Sequence, residues 1–405
     1  MNMTQDATLD TSQVPQETGF QAVGQFLRSR EVCPVPRDAA REVLGRALVS
    51  LDGADHRVRR SVENHLFSAA ALQRYEVDVL EPSMALAFRR LADQAGEDGR
   101  AAVNVPAFAT EQILNISLAL IGIDRREDED RRFVFGCIEP LIAAHEVEWS
   151  LGDPTETIAR ALDTQSQLWR EYLEPAYRRR IEAVRAGTWD EAPDLLSLLA
   201  GQSDTIDEET VVQECALYLV ASVLTTSATI TNTVELLLEW CDEHPEDRAL
   251  VLDESSDFLV RAVEEALRVR PPVKPLLLRI AATEGTVGGC PVTGGQLVGA
   301  NVGAAHADPD VYPDAPERFD PRRVPAIQVR RTHYSFGDGP HLCIGRPLVI
   351  GDNRAGTQGD APTIVRALFA ADVRRDPTRE PRLAPTARQR YVEWPATISV
   401  SPAAG

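Results

Sequence analysis

Phe336-Gly337-Asp338-Gly339-Pro340-His341-Leu342-Cys343-Ile344-Gly345 is the stretch on which the reading of this chain turns. It places one cysteine in a loop bracketed by glycines, with an aromatic residue seven positions before it and a histidine two before it. A thiolate ligand to heme iron needs that kind of loop. Glycine lets the backbone approach the macrocycle closely, and backbone N–H groups aimed at the sulfur stabilise its charge. On these residues alone the other reading is a buried structural cysteine in a Gly/Pro turn.

Composition sets the outer bounds. The chain has 405 residues, 43% of them hydrophobic, ample for a buried core. A formal charge of −20 excludes a general nucleic-acid binder. The six cysteines, Cys33, Cys137, Cys215, Cys241, Cys290 and Cys343, are scattered without a C-x-x-C pair. That argues against a disulfide framework or zinc site and for a reducing compartment. The stretch from Met1 to Gly19 is polar and unlike a signal peptide, and no apolar run reads as membrane-spanning, so a soluble, cytoplasmic chain is expected. Arg318, Arg322, Arg323, Arg330, Arg331 and Arg346 crowd near the cysteine in sequence. They are either solvated arginines or a positive patch that steers an acidic electron-transfer protein.

Residues 1–20 read as a disordered arm and 21–405 as a single domain, mainly α with small β-sheets. The clearest helix begins near Asp207-Glu208-Glu209, where acids favour the first turn, and runs to His244-Pro245. It is apolar on several faces, as a helix through the middle of a protein would be. Short β-like pieces with Gly-Gly turns follow around Arg279–Gly299, and Tyr391–Val400 reads as strand.

The cysteine loop fills every fixed position of F-x-x-G-x-H-x-C-x-G, and from about residue 20 to 400 the chain resembles the cytochrome P450 family of soluble bacterial type. The resemblance implies that fold, a heme b cofactor, Cys343 as axial ligand, and Phe336 and Gly345 as parts of the heme loop. Glu265-Ala266-Leu267-Arg268 matches the family's E-x-x-R pair, three residues apart on one helix face. The meander arginine that completes its buried, structural network is expected to be Arg318. His56-Arg57-Val58-Arg59-Arg60 resembles the H-x-x-x-R segment, whose spacing puts His56 and Arg60 on one helix face. With Arg279 and His341 they are the implied partners of the heme propionates.

Departures from the pattern are as informative. Where the family carries an oxygen-activation signature, roughly A-G-x-[D/E]-T-T, this chain has Ala221-Ser222-Val223-Leu224-Thr225-Thr226. Thr225 and Ser222 keep hydroxyls as candidate catalytic residues, but leucine cannot relay a proton. After the cysteine, Val349 to Asp360 inserts three glycines and several polar residues where a smooth helix is usual, so a break is expected within 349–362. Only 55 residues precede His56, so the substrate-entry region reads as shortened. By resemblance the substrate pocket draws on Ala221, Leu224, Val273, Lys274, Leu276 and Trp394. Lys274 either reaches water or a propionate, or binds a substrate carboxylate, making the substrate a small acid or carrier-bound acyl group.

Three functions follow. The first is a heme-thiolate monooxygenase of specialised metabolism, using O2, a ferredoxin-type donor with its reductase, and a small organic substrate. The second is a heme-thiolate enzyme driven by peroxide or catalysing a redox-neutral rearrangement, which Leu224 and the interrupted helix favour. The third is a non-catalytic heme-binding partner protein.

Overall fold

The computed structural model describes residues 11–124, 127–149, 152–273, 275–329, 333–384 and 390–400. The chain divides into two compact units, one mainly Cys33–Ala71 and Leu114–Val223, the other Pro15–Val32, Leu72–Ile113 and Leu224 onward. The fold is mainly helical with small sheets, as the sequence predicts.

The first unit is helical. Gly53–Glu63, Asp128–Glu146, Thr155–Leu168, Glu174–Ala186 and Leu195–Ala200 are its main helices. Small residues (Ala40, Ala47, Ala144, Ala161, Ala216) alternate with Val43, Leu44 and Leu141 in a core where helices approach closely. The buried Arg180 guanidinium bonds both oxygens of Asp194, the residue that caps Leu195–Ala200 through Ser197.

The long helix, Glu208–Glu243, has 36 residues and starts and stops where the sequence places its signals. The Asp207 side chain accepts from the Thr210 N–H at 2.9 Å, an N-cap bond. Contrary to the sequence expectation, this helix is long and apolar enough to cross a membrane, but 67% of its most apolar window is buried, as in a core helix.

The second unit holds the sheets and the cysteine loop. Leu297–Asn301 lies between Gln16–Glu17, parallel, and Leu276–Ala281, antiparallel. Ordered structure therefore begins before residue 21, because the backbone at Gln16 pairs with Gly299. Pro395–Ser399 pairs with Arg100–Asn104 and with Arg374–Arg375. After the cysteine loop the helix Arg346–Ile350 stops at Gly351 (φ 84°), and a new helix, Asp360–Ala370, begins after Gly359 (φ 86°). The expected break is present. Asp352 and Thr357 bridge across it, and the Glu76 carboxylate accepts from the N–H groups of Gln358 and Gly359 at 2.9 and 3.2 Å.

The E-x-x-R pair organises the segment leading to the cysteine. Arg268 bonds both Glu265 oxygens at 2.8 and 2.7 Å, and also donates to the carbonyls of His306, Pro316 and Arg318. The third member is Arg323, not Arg318. Arg323 reaches Glu265 at 3.1 Å with its side chain 9% exposed, whereas the Arg318 side chain is 69% exposed and lies 3.8 Å from Glu243. Arg318 contributes only its carbonyl, to Arg268 and Arg323. His306 completes the tie. Its Nε2 accepts the Tyr334 N–H at 3.1 Å, so the ring is neutral and Nδ1 is left to donate to the Arg268 carbonyl at 3.2 Å. Burial, with a second histidine, His333, nearby, lowers His306 to about 3.

Two stability predictions follow from these bonds. Arg323→Ala should cost about 3 kcal/mol in denaturant unfolding, because Glu265 loses a buried partner, while Arg318→Ala should stay within about 0.5 kcal/mol. Equal losses would contradict the assignment. Between about pH 6.5 and pH 3 the unfolded chain protonates His306 and the folded chain does not, so stability is lost as pH falls through that window. His306→Gln should have a shallower acid slope than the wild type, checked by unfolding midpoints at stepped pH.

Candidate active site

The cysteine loop is tied at several points. Cys343 N–H donates to the Phe336 carbonyl at 2.8 Å, and Gly337 N–H to that of Tyr334 at 2.9 Å. Asp338, nearly buried, accepts from Gly339 N–H with one oxygen and from Arg28 at 2.5 Å with the other. Gly339 takes φ 67°, and a Cβ there would stand 2.6 Å from the Leu27 carbonyl oxygen, so only glycine lets the loop press on the helix Phe20–Arg28. That helix is anchored by Phe20 against Tyr334, ring centroids 4.6 Å apart.

Within this frame Cys343 is exposed. Its exposure disposes of the buried structural reading. Cys137, Cys215 and Cys241 are buried, and burial pushes their thiols up, Cys137 to about 12 and Cys241 to about 11. A soft sulfur donor, exposed on a loop whose backbone is fixed, fits a heme iron.

The helix Gly53–Glu63 brings His56, buried, and Arg60 onto one face; Arg60 also donates to Asn64 at 3.1 Å. Arg279 lies in the strand Leu276–Ala281 and donates to the Leu278 carbonyl at 2.8 Å. His341 ends the short turn Gly339–His341 of the cysteine loop and is half-buried. Phe336 and Gly345 are half-buried at the two ends of that loop.

Midway along the long helix burial is interrupted. Ala221 is exposed and Ser222, Leu224 and Thr225 are half-buried, while Val220, Val223 and Thr226 are buried. Positions 221, 224 and 225 share one face by helical spacing. Ser222 Oγ donates to the Tyr218 carbonyl and shares a bond with Ser117 Oγ, both at 2.7 Å. Of the other pocket residues, Val273 is exposed and Leu276 half-buried, whereas Lys274 lies outside the described residues. Trp394 corrects an expectation. It is 1% exposed, a core residue at the edge of the strand Pro395–Ser399, and lines no open space.

The arginine cluster is also less positive than its sequence reads. Arg322 pairs with Asp247 and Glu246, Arg323 is taken by Glu265, and Arg318 faces Glu243. Arg330 and Arg331 lie outside the described residues.

Sequence reasoning missed a buried polar ladder in the first unit. Arg59 and Glu63, one turn apart, meet Glu214 and Tyr218, one turn apart on the long helix. Arg59 bonds Glu214 at 2.7 Å, and the Tyr218 hydroxyl donates to Glu63 Oε2 at 2.9 Å. Burial pushes the Glu63 carboxyl well above the usual range, the Glu214 charge adding to it against the Tyr218 hydrogen bond, Arg59 and Arg60. Burial raises Glu214 as well, opposed by Arg59 and the Leu48 N–H, and keeps the Tyr218 phenol protonated. The available signal was Glu63 itself, an acid two turns beyond His56 on a helix end packed with apolar neighbours.

A family model described as Cytochrome P450 matches residues 254–350. Erythromycin C-12 hydroxylase of Saccharopolyspora erythraea is 30% identical over 308 residues, covering 75% of this chain and 69% of the hydroxylase. Among solved structures, P450BioI, in complex with an acyl carrier protein ligated to hexadec-9Z-enoic acid, superposes with a TM-score of 0.72 at 23% identity, covering 97% of this chain and 95% of that one. CalO2 superposes with a TM-score of 0.73 at 22% identity, covering 98% and 93%. Carrying the family's motifs in a fold that matches its members along nearly the whole length, the chain belongs to the cytochrome P450 family and is a heme b-binding monooxygenase.

Proposed function

We propose that residues 21–405 act as one heme-thiolate domain that oxidises a small organic substrate of specialised metabolism, taking O2 and electrons from a ferredoxin-type donor with its reductase. The exposure of Cys343 on its tethered loop carries this reading. Heme, when bound, supplies dioxygen activation and transfer of one oxygen atom to the substrate. Cys343 holds it through the thiolate, within the loop from Phe336 to Gly345. His56, Arg60, Arg279 and His341 hold its propionates by charge-assisted bonds.

Ala221, Leu224, Val273 and Leu276 shape the apolar substrate wall. Thr225 and Ser222 hold protons on their hydroxyls beside the reacting atoms. Lys274 binds an acidic group on the substrate. A carrier-bound acyl chain meets that requirement, in line with the carrier-protein complex of P450BioI. The replacement of the usual acid by Leu224 favours a second reading, turnover with peroxide or without an external oxidant. Product formation with ferredoxin and reductase, against hydrogen peroxide and against neither, decides between them.

Cys343→Ala should lose the red-shifted absorption of the reduced carbon monoxide complex, and a retained spectrum would overturn the ligand assignment. Replacing His56, Arg60, Arg279 or His341 should weaken heme retention by about 1.5–3 kcal/mol, read from heme transfer to an acceptor protein. Thr225→Ala should release more peroxide per electron consumed, and unchanged coupling would remove the hydroxyl from oxygen activation.

A further inference from the structure

The cysteine loop presses on the last turn of the helix Phe20–Arg28, and one charged side chain comes from each side of that contact. At Gly339 a Cβ would stand 3.0 Å from Arg28 Cα as well as against the Leu27 carbonyl. At Gly24, one turn back, it would collide with the Tyr334 hydroxyl. The Phe20 N–H donates to Asp308 Oδ2 at 2.8 Å, which fixes the other end of the helix. What the loop meets is therefore the carbonyl end of a helix, where the backbone dipole is negative and a cation is favoured. Arg28 is the basic residue of that last turn.

Asp338 comes from the loop. Its Oδ1 takes the Gly339 N–H at 2.8 Å and its Oδ2 the Arg28 guanidinium at 2.5 Å. The Asp338 side chain is 6% exposed and that of Arg28 52%, so the anion is nearly buried and its cation reaches in from the surface. Asp338 also lies inside the turn that the Cys343 N–H closes on the Phe336 carbonyl, five residues before the sulfur. A pair with one exposed partner contributes little to stability. A carboxylate held out of water in the same loop as a thiolate acts on it through its field.

We propose that Arg28 and Asp338 are a positioning pair for the heme thiolate: Asp338 fixes the loop at Gly339, and Arg28 balances a carboxylate charge that would otherwise add to that of the Cys343 sulfur and draw the heme reduction potential down. Added negative charge near the thiolate favours the ferric state, which carries one more positive charge than the ferrous. The pair thereby sets how readily an electron is accepted. The other reading of the same contacts is a tie between helix and loop with no electrical role.

The proposal rests on Cys343 holding the heme, and the test reads the two separately. Reduction potentials are measured on the heme-loaded wild type, Arg28→Met, Arg28→Lys, Asp338→Asn and the double variant Arg28→Met, Asp338→Asn. The titrations are run at mildly alkaline pH, where carboxylates are ionised. Arg28→Met should shift the potential down, because the charge left behind is the nearly buried one. Asp338→Asn keeps a carbonyl oxygen for the Gly339 N–H and should shift the potential up, by less, because the charge left behind is half in water. Arg28→Lys and the double variant should lie near the wild type. Shifts of one sign in both single variants, or none in either, would leave only a tie and overturn the proposal. The reduced carbon monoxide complexes should all keep the red-shifted absorption of a thiolate ligand. Its absence from the wild type would overturn the ligand assignment and the pair's role together, whereas its presence with unmoved potentials would overturn the pair's role alone.

Discussion

Arg268 is the point at which the second unit is fastened. One guanidinium, its side chain 1% exposed, bonds both oxygens of Glu265 and three carbonyls, those of His306, Pro316 and Arg318. Arginine is suited to this because its donors are fixed in a fork and cannot be deprotonated. His306 ends the helix Val302–His306, where carbonyls run out of helical partners, and Pro316 and Arg318 lie in irregular chain, so without Arg268 the segment from His306 to Arg323 would have to bury these carbonyls unpaired or open to water. That segment leads through His306 and Tyr334 into the cysteine loop, and Tyr334 in turn packs on Phe20. The position of one sulfur is set by a chain of neutral and charged hydrogen bonds, each with a fixed geometry.

Much of this was legible in the sequence, and the misses have physical reasons. The cysteine loop, the E-x-x-R pair and the long helix announce themselves because backbone geometry demands glycine, an ion pair demands fixed spacing, and a buried helix demands apolar residues. The interruption after Ile350 was legible for the same reason, since Gly351 and Gly359 adopt positive φ. Arg318 and Arg323 are five positions apart in an irregular segment, and no periodicity says which of them turns inward. Trp394 and Gln16 were misplaced because their surroundings are set by pairing with Asn104 and Gly299, partners that only the fold brings near.

The long helix illustrates how a family scaffold tolerates change at its chemical centre. Apolar residues carry the burial, while hydroxyls bond back to carbonyls four residues earlier, as Thr229, Thr231 and Thr233 do. Those bonds satisfy the threonines without any outside partner, so the polar content of the helix need not disturb its packing. An acid at position 224 is a local choice within that frame. Earlier on the same helix the Tyr218 hydroxyl donates to the buried Glu63 carboxyl of the helix Gly53–Glu63.

The account stands or falls on the sulfur at the iron. Iron-edge X-ray absorption of the heme-loaded protein tests it directly. The account predicts a sulfur scatterer in the first coordination shell of the wild type that disappears in Cys343→Ala while heme remains bound. A first shell of nitrogen and oxygen alone in the wild type, or a sulfur that survives the substitution, would contradict it.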